Sequence, residues 1–223
     1  MSPTHARLSL GPIQNPVRGL LDLLAAALSL AAALQLWAAT AHWPLGRLAL
    51  GVFSATQLGL CVVSGLYHSA PWGPRAKRRM QRLDHSMIFL QIAGTVTPLA
   101  LVGLEGPLQR AVLIGVWAIA AGGVAQKAFL PGIHEKACIP FQVLQACLVV
   151  PALPGLMGRF EGAALQLLAL AGAIHLVGLV VFVTERPRLW PRLFSFHDLF
   201  HLLLLGGGAV NYTLLAKLLT KGG

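Results

Sequence analysis

Apolar residues fill the chain in seven runs, at about 19–41, 46–68, 84–104, 108–126, 138–157, 163–184 and 197–219, separated by short charged or proline-bearing breaks. Each run is close to the ~20 residues a helix needs to cross the hydrocarbon core of a bilayer. The pattern predicts an all-α bundle of seven transmembrane helices, with residues 1–18 as a tail and 19–223 as one membrane domain. Two runs are less clean. Gly122 and Gly123 loosen the fourth, and Pro140, Pro151 and Pro154 interrupt the fifth, where each proline removes a backbone donor and bends the helix.

Composition agrees with the pattern. Of 223 residues 56% are hydrophobic and 11% charged, with a mean hydropathy of +0.72, whereas soluble domains carry roughly 25% charged residues. A net charge of +10 would suggest nucleic acid as the partner of a soluble chain. Here the cations sit between apolar runs and read as topology signals, so no nucleic-acid partner is expected and the lipid bilayer is. With seven spans, Arg7, Arg18, Arg75, Lys77, Arg78, Arg79, Arg82, Lys127, Lys136, Arg186, Arg188 and Arg192 share the side of the N-terminus, and Arg47, Arg110, Arg159, Lys217 and Lys221 the other. That imbalance puts the N-terminus in the cytoplasm and the C-terminus outside a cell inner or plasma membrane. The run PRAKRRMQR is foremost a topology determinant and secondarily a contact for anionic headgroups. Cys61, Cys138 and Cys147, odd in number and in or beside apolar runs, read as packing residues rather than a disulfide framework. Residues 1–18, with Pro3, Pro12 and Pro16, contain no apolar signal core, so the first span is expected to act as the insertion signal.

The candidate chemistry lies at one depth. His197 and His201, in FSFHDLFHLLLL, are one helical turn apart, so both imidazoles face the same way and can bind one ion. His68, in SGLYHS, ends the second span on the side where the seventh begins. Three nitrogens with a fourth position left for water make the open pattern of a catalytic zinc site rather than the closed structural one. Asp84, at the head of RLDHSMIF, falls at the same level and could accept a proton from the water. Ser64, one turn deeper than His68 on the same face, could reach a developing oxyanion.

Each residue also has a plainer use. A membrane histidine is commonly a helix-to-helix hydrogen-bond donor, Asp84 could be a helix N-cap, and Ser64 a small residue that lets helices approach. The coincidence of depth favours the metal. His85 points ~100° away from Asp84, which suits an interfacial or outer role, and Asp198 is likewise rotated off the His197 and His201 face. Cys61 lies roughly 10 Å along the axis from His68, too far to ligate the same ion. His175 suits a structural hydrogen bond, Asp22 suits an i,i+4 ion pair with Arg18, and His5, His42 and His134 fall in loops or the tail.

In order and spacing, SGLYHS, RLDHSMIFLQIAGTVTP and FHDLFHLLLLGGGA resemble the bacterial hemolysin III proteins. These are grouped with the progestin and adiponectin receptor family and, more distantly, with the alkaline ceramidases of the CREST membrane hydrolases. The resemblance implies a seven-helix bundle with zinc near the cytoplasmic side held by His68, His197 and His201, and the family's serine and aspartate at Ser64 and Asp84. It also implies hydrolysis of a lipid amide or ester, with a ceramide-like substrate entering between helices. The chain departs from the family in its first and seventh spans, and its proline-rich fifth span is an unusual version. Where relatives carry a Thr-His pair early in span one it has VRGLLDL after Asn15, and Asn211 stands where a histidine often follows the glycines of span seven.

The expected activity is therefore that of a zinc-dependent membrane hydrolase, in which Asp84 positions and deprotonates water and Ser64 steadies the oxyanion. The rival readings are a sensor with a structural zinc and a pore-forming hemolysin. A retinal protein would need a lysine in mid-span seven, and Lys217 lies near the outer end. Bis-histidine haem fails because i,i+4 histidines on one helix cannot occupy opposite faces of one haem.

Overall fold

The computed structural model describes residues 9–10, 13–14, 16–130, 135–189 and 194–221. Asn15, His5 and His134 lie outside the described residues, as does most of the expected 1–18 tail. A two-residue antiparallel pairing of β1 (Ser9–Leu10) with β2 (Ile13–Gln14) precedes the helices. The helices are α1 (Pro16–Ala39), α2 (Pro44–Ser69), α3 (Pro74–Gly103), α4 (Gly106–Phe129), α5 (Ile139–Cys147), α6 (Leu153–Arg159), α7 (Gly162–Thr184) and α8 (Phe196–Lys221). Seven helical segments are long and apolar enough to cross a membrane, with α5 and α6 together forming the fifth, Ile139–Arg159. The chain is a multi-pass, all-α membrane protein.

Three spans differ from the hydropathy reading. The third does not open at Asp84, because α3 starts ten residues earlier. Pro74 suits the first turn, where a missing N–H costs nothing, and the Lys and Arg residues that follow are good helix formers. Asp84 is thus inside a helix and not its N-cap. The fourth span runs unbroken through Gly122 and Gly123; a Cβ on Gly123 would stand 2.6 Å from the Phe89 ring, so this glycine serves close packing of α4 on α3. The fifth does break, at a 3₁₀ turn over Val150–Ala152 that contains Pro151, while Pro140 and Pro154 sit in the first turns of α5 and α6. Gly106, at φ 64°, takes the left-handed conformation that the tight link between α3 and α4 requires.

Neighbouring spans pack in sequence from α1 to α4, and α8 closes the bundle by packing on α7 and α1 while touching α2 and α3. The larger core cluster joins α3, α4, α6 and α7 through Phe89, Leu99, Val116, Leu156 and Ala164. A smaller one joins α2 and α8 through Leu50, Phe53, Tyr212, Leu215 and Leu219. Leu20, Leu24 and Leu28 on α1, and Leu176, Val177, Val180 and Val183 on α7, are exposed at helical spacing, the surface that lipid tails cover.

Candidate metal centre

His68 occupies the last turn of α2, and His197 and His201 the first two turns of α8, so one end of the bundle brings them together. One ring nitrogen from each lies within 4.8 Å of the others. The His197 and His201 rings stack at 5.1 Å between centroids with an interplanar angle of 22°. The His68 ring stands at 85° to that of His201, 5.2 Å away. His68 and His201 are buried, and His68 Nε2 has no hydrogen-bond partner among the described residues. A buried imidazole with an unpaired nitrogen, grouped with two other imidazoles, suits a borderline-soft cation such as zinc.

A charged network from α1 surrounds the histidines. Asp22, 1% exposed, accepts a hydrogen bond from His201 Nδ1 at 3.1 Å through Oδ1. With Nδ1 so engaged, Nε2 is the His201 nitrogen left to serve as a ligand. Arg18 Nε donates to Asp198 Oδ1 at 3.0 Å, its Nη1 is 3.5 Å from His68 Nδ1, and its Nη2 is 3.5 Å from Ser195 Oγ. The pair that sequence spacing predicts within α1 is therefore not formed: Arg18 reaches Asp198, and Asp22 reaches His201. Both side chains are buried, and buried charges are drawn to the partners across the bundle that also satisfy their hydrogen bonds.

Asp198 has a second task. Its Oδ2 accepts from the Ser195 backbone N–H at 2.7 Å and from Ser195 Oγ at 2.6 Å, so it satisfies the entry of α8 as the third residue of a capping box. The rotation of Asp198 off the histidine face, expected from its position, is what lets it hold Arg18 and the helix start together. The signal was present in the sequence as Ser-x-x-Asp at residues 195–198.

Asp84 is buried in α3, with its carboxyl beside Ser64 and within electrostatic range of His201, Asp22 and Arg18. Ser64 Oγ is buried and completes no hydrogen bond. His85 is half-buried and acts electrostatically on His68, outside the three-nitrogen group. Cys61 lies deeper, accepting from Gln57 Nε2 at 3.3 Å. His175 bonds the Ala171 carbonyl at 2.6 Å and presses its ring on Gly207, the structural role expected of it. His42 is exposed in the turn between α1 and α2. All three cysteines are free; Cys61 and Cys138 are buried, but Cys147 is exposed on the span surface rather than packed inside.

With this geometry in view, the comparisons decide the family. A model of haemolysin-III-related proteins matches residues 12–212. The chain belongs to that family. Among haemolysin-III relatives, Hemolysin-3 of Bacillus cereus is 33% identical over 164 residues, covering 74% of this chain and 72% of the relative. The Hemolysin-3 homolog of Bacillus subtilis strain 168 is 30% identical over 161 residues, covering 72% of each. In this member of the haemolysin-III family, the segment VRGLLDL places two buried charged residues, Arg18 and Asp22, among the histidines. Neither was singled out from the sequence as part of the site.

Proposed function

We propose that this chain is a zinc-dependent integral membrane hydrolase that cleaves an amide or ester in a lipid, with a ceramide-like substrate fitting best. The observation that carries the reading is the convergence, inside a membrane-embedded bundle, of three imidazole nitrogens with a buried carboxylate and a buried, unpartnered hydroxyl. A purely structural ion has no use for the last two.

His68, His197 and His201 would hold the ion, which when bound supplies Lewis acidity and lowers the pKa of water toward ~7. A His68 that gives Nε2 to a metal keeps its proton on Nδ1, so Arg18 then bonds Asp198 and Ser195 rather than His68. Asp84 takes the proton of the attacking water and passes it to the leaving nitrogen or oxygen. Ser64 donates its free hydroxyl to the carbonyl oxygen as negative charge develops there. Asp22 fixes the tautomer and ring direction of His201. The lipid would enter laterally between helices near the cytoplasmic side of a cell inner membrane, in the topology that the charge bias favours.

A second reading keeps the zinc and drops the chemistry: a sensor in which the ion staples α2 to α8. The Asp22–His201 and Arg18–Asp198 links favour it, because they tie α1 into the same joint. The name Hemolysin-3 given to the Bacillus relatives suggests membrane lysis, which a lipid hydrolase also produces. The test is elemental analysis of the purified protein together with lipidomics of the membrane before and after a chelator. Stoichiometric zinc with chelator-sensitive accumulation of a cleaved lipid is the expected result; zinc with no change in any lipid selects the sensor.

A further inference from the structure

Five of the nine buried side-chain nitrogen and oxygen atoms that lack a hydrogen-bond partner among the described residues lie along one interior path. They are Asp22 Oδ2, Ser64 Oγ, Gln91 Oε1, Ser54 Oγ and Tyr212 OH. Native proteins pair nearly all buried polar groups with protein or water, so orphans are few, and their alignment here is informative.

The path descends from the metal centre by helical steps. On α2, His68, Ser64, Cys61, Gln57 and Ser54 follow one another at three- or four-residue spacing, a drop of ~21 Å from first to last. Each level is tied to the next by contact. Cys61 lies beside Ser29 and within electrostatic range of Asp22, and Gln57 bonds Cys61. Gln91 Nε2 donates to Gln57 Oε1 at 2.6 Å. Tyr212 lies beside Ser54 and Ser29, near Cys61, without completing a hydrogen bond to either hydroxyl. The waist is at Gln57, which abuts Gly208; a Cβ there would stand 2.8 Å from Gln57 Oε1. Beyond Tyr212 the path meets apolar side chains, because Phe53 sets its ring edge against the Tyr212 ring at 4.8 Å and buried Leu50, Leu215 and Leu219 pack around it.

We propose that this path is a blind polar well that binds a file of internal waters, open only at the metal centre. Its walls offer donors and acceptors in mixed order, as water requires and a hydrocarbon tail does not. Its sealed end distinguishes it from a conducting pore. If the hydrolase reading holds, on which this one clause rests, the well keeps the reactant water behind the metal centre while a lipid covers the entrance.

X-ray radiolytic footprinting of the full chain in nanodiscs, after rapid mixing with ¹⁸O-water, tests the proposal without any assay of hydrolysis. Tyr212 and Cys61 are expected to take up ¹⁸O several-fold faster than Cys138, which is as buried but has its Sγ against Gln126. Gln57→Leu should abolish labelling of Tyr212, below the waist, and spare Cys61, above it. Labelling of Tyr212 and Cys61 no faster than Cys138 in the wild-type chain overturns the well. Should Gln57→Leu fail to fold, Tyr212→Phe gives an independent sign. Its melting temperature falls if the hydroxyl is hydrated and rises if it is buried dry, and a rise overturns the proposal.

Discussion

Asp22 and His201 stand 3.1 Å apart, Oδ1 to Nδ1, across the contact between α1 and α8. A carboxylate there raises the basicity of the imidazole and fixes which nitrogen faces outward, an arrangement whose loss weakens metal binding by ~10–100-fold in other sites. Asp22→Leu is expected to lower zinc affinity by about that factor in competition with a chromophoric chelator. Asp22→Asn should fall less, since its carbonyl oxygen still accepts from Nδ1. Unchanged affinity in Asp22→Leu would remove Asp22 from the site.

His68→Ala takes away the only nitrogen contributed by α2. The protein should purify with substoichiometric zinc, by elemental analysis, while retaining its helical circular dichroism. Full zinc content in that variant would mean that the ion binds elsewhere.

Asp84→Ala separates the two readings of the centre. A proton-transfer group contributes ~10²–10⁴-fold to rate, so turnover should drop by that order with zinc retained, and Ser64→Ala should cost ~10²–10³-fold. If Asp84→Ala keeps both its zinc and all its activity, the hydrolase is wrong.

Arg18 and Asp198 form an ion pair whose side chains are 3% and 9% exposed. Removing one member strands the other, which costs ~3–5 kcal/mol in buried pairs, whereas replacing both with apolar residues is often neutral. Arg18→Met is therefore expected to lower the melting temperature sharply, and Arg18→Met with Asp198→Leu to recover part of it. The recovery will be incomplete because the double variant also loses the cap on Ser195.

The glycine run of α8 gives a contrast between adjacent positions. A Cβ on Gly207 would collide with the His175 ring, while one on Gly206 would meet nothing. Gly207→Ala should destabilise by ~1–3 kcal/mol through overpacking. Gly206→Ala should be neutral or stabilise by up to ~1 kcal/mol, since alanine is the better helix former. Thermal denaturation of the two variants in one detergent reads the difference.

The seven spans were legible because a bilayer imposes a length and an apolar composition that few other environments do. The histidines were legible because a polar side chain in an apolar run stands out and i,i+4 spacing fixes its direction. What escaped was whatever depended on partners distant in sequence. Arg18 and Asp22 satisfy the i,i+4 rule for a local pair, and only the packing of α1 on α8 sends them apart. Asp198 was dismissed by rotation, although Ser195 three residues earlier marked it as a capping partner. The start of α3 was missed because hydropathy reports where a helix is greasy, not where it begins: Arg75 to Arg82 are strongly helical and strongly polar at once.

The glycines of α8 have a mechanical consequence. Gly207 admits the His175 ring from α7, and Gly208 admits the Gln57 amide from α2, so two neighbours intrude into the helix from different sides at nearly one height. A slide by one turn, ~5.4 Å, would drive the leucines of Leu202–Leu205 into those notches. The helix is keyed like a shaft and barred from pistoning. His197 and His201 are thereby held at a fixed depth in the bilayer, whatever the rest of the bundle does to admit or release a ligand.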